Sequence, residues 1–75
     1  PLSPLVERSA EKLWEIALKC EAGGEHERAL IAFRSLRSSF YAVRCLYQPG
    51  KVWIARSDAK IAELVKIRAQ MQSTR

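Results

Sequence analysis

The chain has 75 residues, 13 basic and 8 acidic, for a formal net charge of +5. At that length a single domain is the limit, and it buries only roughly 60–65% of its unfolded surface. No apolar run approaches the roughly 20 residues a membrane span needs, no signal-peptide pattern occurs within these residues, and two cysteines make no disulfide framework. Lacking a start methionine, the chain is expected to be a module cut from a longer protein.

Ser3-Pro4 reads as a helix start, with Ser as N-cap and Pro at the first helical position. From there Val6, Ala10, Leu13, Ala17 and Cys20 recur at three- and four-residue steps and predict a first helix over about 4–22. Trp14 and Leu18 fall off that stripe, beside Glu7, Glu11 and Glu15. They offer either a binding surface or packing against a third helix, and packing is the favoured expectation. Gly23-Gly24 then supply the φ > 0 conformations a helix stop uses, and Ala17, Ala29 and Ala32 let two helix backbones approach closely. The corner predicts an antiparallel helical hairpin.

A second helix is expected over about 25–47, with Glu25 and Glu27 in its first turn, where exposed N–H groups favour negative charge. Its core stripe is Ala29, Phe33, Leu36, Phe40, Val43 and Tyr47. A second stripe reads Leu30, Arg34, Arg37, Tyr41 and Arg44, and its guanidinium groups suit carboxylates or phosphates. Read more plainly, it is a basic solvent face with snorkelling stems. Gln48-Pro49-Gly50 turns the chain into a third helix over about 51–73, beginning near Lys51 or, as the alternative, capped by Ser57. In that helix Ile61, Val65 and Ala69 are expected to face the core, with Trp53, Leu64, Ile67 and Met71 as a second apolar edge. The residues Gln72 to Arg75 should fray. The fold class is all-α, an antiparallel three-helix up-down bundle. In it Cys20 and Cys45 lie at opposite ends of the hairpin, about 30 Å apart at the helical rise, so both are expected as free thiols in a reducing compartment.

Ala17, Glu21, Gly24, His26, Ala29, Leu30 and Phe33 follow a spacing that resembles the first half of a microtubule-interacting and trafficking (MIT) domain, with His26 where that family usually has Tyr. Lys60, Ile61, Glu63, Leu64, Val65 and Met71 resemble its third helix more loosely. A lone tetratricopeptide-type hairpin shares much of the first spacing. The resemblance implies a cytoplasmic, in part endosome-associated, three-helix adaptor for helical motifs in ESCRT-III tails. Ligands of that family lie between helices two and three or between helices one and three. Where the family's third helix commonly carries acids, this chain has Lys66 and Ala69, with Arg68 beside them.

Charge points the same way. Residues 1–27 hold six acids and three bases, whereas residues 28–75 hold ten bases against Asp58 and Glu63. An acidic helical or tail segment is therefore the expected partner, contacting Arg34, Arg37, Tyr41, Arg44, Leu64, Val65 and Arg68. Trp14, Leu18, Ile67 and Met71 form a second candidate surface. The rival readings are tubulin tails, as for a severing-type ATPase, and scaffolding against a sister bundle or the parent's catalytic domain, with Trp14, Trp53 and Met71 as anchors. A lone His26 without ligand-spaced neighbours argues against a metal site. No phosphate loop, nucleophile set or cleft carboxylate pair points to an enzyme or a cofactor. Long antiparallel helices argue against a DNA reader, whose helices are shorter and cross steeply. The domain is expected to be monomeric.

Overall fold

A computed structural model describes residues 3–73, with side chains over 5–71, as three helices. These are α1 (Ser3–Ala22), α2 (His26–Tyr41) and α3 (Pro49–Ser73). The middle helix α2 runs antiparallel to both neighbours and packs against each, so the molecule is an all-α three-helix bundle. It is elongated, at 51 × 22 × 13 Å. The first and third helices run parallel and meet through side chains more than through backbone. The capping expected of Ser3 falls on a side chain outside the described range. Gln72 and Ser73, expected to fray, continue α3, while Thr74 and Arg75 lie outside the described residues.

The corner after α1 forms for a local reason. Gly24 has φ of +80°, the left-handed conformation that costs a side-chain-bearing residue about 1–2 kcal/mol. Its N–H donates to Glu21 O at 3.1 Å and the Glu25 N–H donates to Cys20 O at 2.8 Å. That pair of bonds is a Schellman stop, which satisfies carbonyls the helix end would otherwise orphan. Behind the corner Ala17 and Ala29 are fully buried, so α1 and α2 touch at small residues and close over Phe33, Leu30 and Leu64.

A second cluster gathers Ala10, Leu36, Phe40 and Trp53 at the other end. Aromatic rings link the two clusters. Trp14 meets Phe33 edge-on at 5.1 Å between centroids and Trp53 at 5.9 Å, and Phe40 stacks between Trp53 and Tyr47. Such contacts contribute about 0.5–1.5 kcal/mol each beyond area burial. Trp14 is thus a packing residue shared by all three helices.

Two sequence-based expectations need correction. The second helix stops at Tyr41 and not at 47; residues 42–46 are turns, held by bonds such as Leu46 N–H to Val43 O at 2.9 Å. Val43 therefore leaves the core and is 38% exposed. The third helix begins at Pro49, close to the earlier of its two expected starts, with proline in the first-turn position that needs no donor, and Ser57 lies well inside it. Gly50 is buried against Phe40, and an added Cβ would sit 3.0 Å from Phe40 Cδ1, so glycine permits the close approach without displacing that ring. The buried centre of α3 is the line Trp53, Ser57 and Leu64; Ile61 and Val65 flank it half-buried, and Ala69 is exposed. Both cysteines are free thiols, as expected.

Candidate partner-binding surfaces

The residues expected to bind a partner do not form one surface. Leu64 and Leu30 are fully buried in the inner cluster, and Val65 packs against it. Arg37 donates to Asp58 at 3.2 Å and Arg68 to Glu27 at 3.0 Å. Because α2 ends at Tyr41, Arg44 lies beyond the helix. Its guanidinium covers the Tyr41 ring at 4.0 Å and donates to the Tyr41 carbonyl. Arg34 is exposed and has no acidic partner among the described residues. Of the second set, Leu18 and Trp14 pack on the core, Ile67 is half-buried and Met71 is exposed.

Both grooves that the resemblance suggests are bridged. The α2/α3 side carries the Arg37–Asp58 and Arg68–Glu27 pairs. Across the α1/α3 side Lys60 Nζ reaches both Glu21 oxygens, at 2.8 and 3.1 Å. Arg56 lies over both tryptophans there, 4.4 Å from the Trp14 centroid and 4.6 Å from that of Trp53.

An open groove lies elsewhere, between α1 and α2, with no α3 residue in its lining. It encloses about 540 Å³ and is lined by Leu5, Val6 and Leu13 of α1, Leu36 and Phe40 of α2, and Val43 and Tyr47 of the following turn. Val43 and Tyr47 reach it from the segment that follows the early end of α2. Tyr47 is held by Glu7, whose carboxylate accepts from the Tyr47 hydroxyl at 2.5 Å and from Trp53 Nε1 at 3.0 Å. The Tyr47 bond, then that of Trp53, keep the Glu7 carboxyl below its ordinary range, while burial acts the other way. The same bond chiefly, with burial and the Glu7 charge, pushes the Tyr47 hydroxyl up to about 12.

Most of the acids are paired within the molecule, Glu7 and Glu21 in part-buried contacts and the others at the surface. Glu7, Glu21, Glu25, Glu27, Asp58 and Glu63 all face hydrogen-bond or ion-pair partners. Glu11 and Glu15 remain. Against them Arg8, Lys12, Lys19, Arg34, Arg44, Lys51, Arg56 and Lys66 have no acidic partner among the described residues. Of the α1 acids, Glu7 and Glu21 turn to partners across the bundle while Glu11 and Glu15 stay exposed, and the unpaired charge of the described surface is mostly basic. No grouping of metal-binding side chains occurs among the described residues, and no described helix is long and apolar enough to cross a membrane. No family model, curated protein or solved structure matches the chain.

Proposed function

We propose that this domain is a protein-interaction module that binds acidic segments of partner proteins. The observation that carries the reading is the charge distribution: six of the eight acids paired within the molecule, and at least eight cations left without acidic partners among the described residues. Arginine and lysine so placed select for carboxylates and raise association rates. The resemblance to MIT domains adds a helical form for the ligand and makes ESCRT-III-type tails in endosomal membrane remodelling, in the cytoplasm, the first partners to try. Acidic tubulin tails are the second, favoured by the same basic surface. Scaffolding through Trp14 and Trp53 is not proposed, because those rings are occupied within the core.

The test is a fluorescence titration of the domain with an acidic amphipathic peptide and with its Glu→Gln counterpart, each at low and high salt. The acidic peptide should bind more tightly, with an advantage that shrinks as the screening length falls from about 30 Å at 0.01 M to about 8 Å at 0.15 M. Equal affinity for the two peptides at low salt would remove the acidic-ligand reading.

A further inference from the structure

We infer that the ligand is an amphipathic helix of a partner protein that seats its aliphatic side chains in the α1/α2 groove and sets acidic flanking residues against α1. The inference rests on the acidic-ligand reading and adds the place and form of binding. The two other inter-helix sides are bridged by ion pairs, whereas this groove is apolar, about 540 Å³ in volume, and bordered by exposed Leu5 and Val43. That volume falls within the range of ligand-binding clefts. A ligand helix offering apolar residues at i, i+3 or i+4, and i+7 matches an inter-helix groove.

Charge complementarity decides the occupant. Leu5, Lys12 and Lys19 recur every seven residues, so the two lysines continue down α1 on the face that Leu5 opens, with a drift of about 20° per step. Arg8 stands one turn from Leu5, and all three cations are exposed. Lys12, Lys19 and Arg8 stand about 20°, 40° and 60° past Leu5, away from the groove centre, with Glu15 and Glu11 farther at about 80° and 120°, so the two lysines are the charges nearest the groove edge. Ile16, 51% exposed and seven residues after Ser9, carries the apolar strip beyond the groove itself. A second copy of this chain would bring Arg8, Lys12 and Lys19 against like charges, so self-association is disfavoured. An acidic helix meets them favourably.

The probe is a synthetic amphipathic helix with Leu anchors at i, i+4 and i+7 and Glu on both flanks, together with its Glu→Lys form. Ser39→Trp fills the groove from α2, where Ser39 is exposed and its loss leaves the core untouched. Lys12→Glu plus Lys19→Glu reverses the rim, and Arg34→Glu plus Lys66→Glu is the control on other surfaces. Circular dichroism confirms that each variant folds. Groove filling and rim reversal should each weaken the acidic peptide about tenfold or more, and the control about twofold or less. Amide shifts should map to Leu5, Leu13, Ser39 and Val43. If the native domain binds the acidic peptide but groove filling leaves affinity unchanged, the groove is overturned while the acidic-ligand reading stands. If the Lys form binds as tightly as the Glu form, or neither binds, the acidic-ligand reading falls and this inference with it. Sedimentation showing a native dimer that Ser39→Trp dissolves would make a second copy the occupant and overturn the inference.

Discussion

Glu7 lies forty residues from Tyr47 in sequence, yet one carboxylate ties the start of α1 to the turn after α2 and to the first turns of α3. Its energetic signature is a pH dependence of known sign. Glu7 has a folded pKa below its ordinary value of 4.5, so the unfolded chain takes up the proton first. The stabilisation is complete above about 4.5 and is lost as pH falls through the lower folded value. For Tyr47 the folded pKa is raised, from 10.0 to about 12, so its contribution is complete below 10 and disappears as pH climbs through that window. Thermal melts across both ranges should fall at each end, and Tyr47→Phe should flatten part of both arms by removing the shared hydrogen bond. Parallel pH curves for the native and Tyr47→Phe domains would mean that this contact does not couple to folding.

At the scale of elements, what could be read from the sequence was what local chemistry dictates. The first helix and the Gly24 corner follow from period and from the left-handed residue a Schellman stop requires, and both stand where expected. The buried Ala29, Phe33, Leu36 and Phe40 follow from the same periodicity. The end of α2 was not legible, because residues 42–46 contain neither glycine nor proline. The helix gives way where Arg44 takes the Tyr41 carbonyl and Glu7 takes the Tyr47 hydroxyl, and the second contact is long-range. The groove was not legible either, because periodicity assigned its lining residues Val6, Leu13, Leu36, Phe40, Val43 and Tyr47 to the core. On α3 the misplacement centres on Ser57, a polar residue that apolar pattern-matching passes over. Its side chain is fully buried, and its hydroxyl has no hydrogen-bond partner among the described residues. A buried, unmatched hydroxyl is costly, and serine is a weaker helix former than alanine. Ser57→Ala should therefore stabilise the domain by about 1 kcal/mol, read as a higher urea midpoint with an unchanged slope. A lower midpoint would show that the hydroxyl makes a contact worth more than its desolvation.

For the molecule as a whole, the balance lies between a few contact ion pairs and the mutual repulsion of many cations. The Arg28–Glu25, Arg37–Asp58 and Arg68–Glu27 pairs are close, between 3.0 and 3.4 Å, but half or more exposed on at least one side. Exposed pairs of this kind contribute about 0–1 kcal/mol each. The unpaired cations are spread over a body 51 Å long with a net charge of +5. At about 0.01 M salt the screening length is roughly 30 Å, so each cation feels most of the others. At about 0.15 M it is roughly 8 Å, and the repulsion between distant cations is lost first while pairs in contact persist. Added salt should therefore raise the melting temperature between these two concentrations, the opposite of what a surface held together by ion pairs would show. Sodium chloride is the appropriate salt, because sulfate strengthens apolar burial by itself and would raise the melt for an unrelated reason. Ligand binding should move the other way over the same range, weakening as salt increases, since it draws on the cations whose repulsion salt relieves. A melting temperature that falls on going from low to moderate salt would mean that the internal pairs outweigh the repulsion and that the unpaired basic surface carries little electrostatic strain.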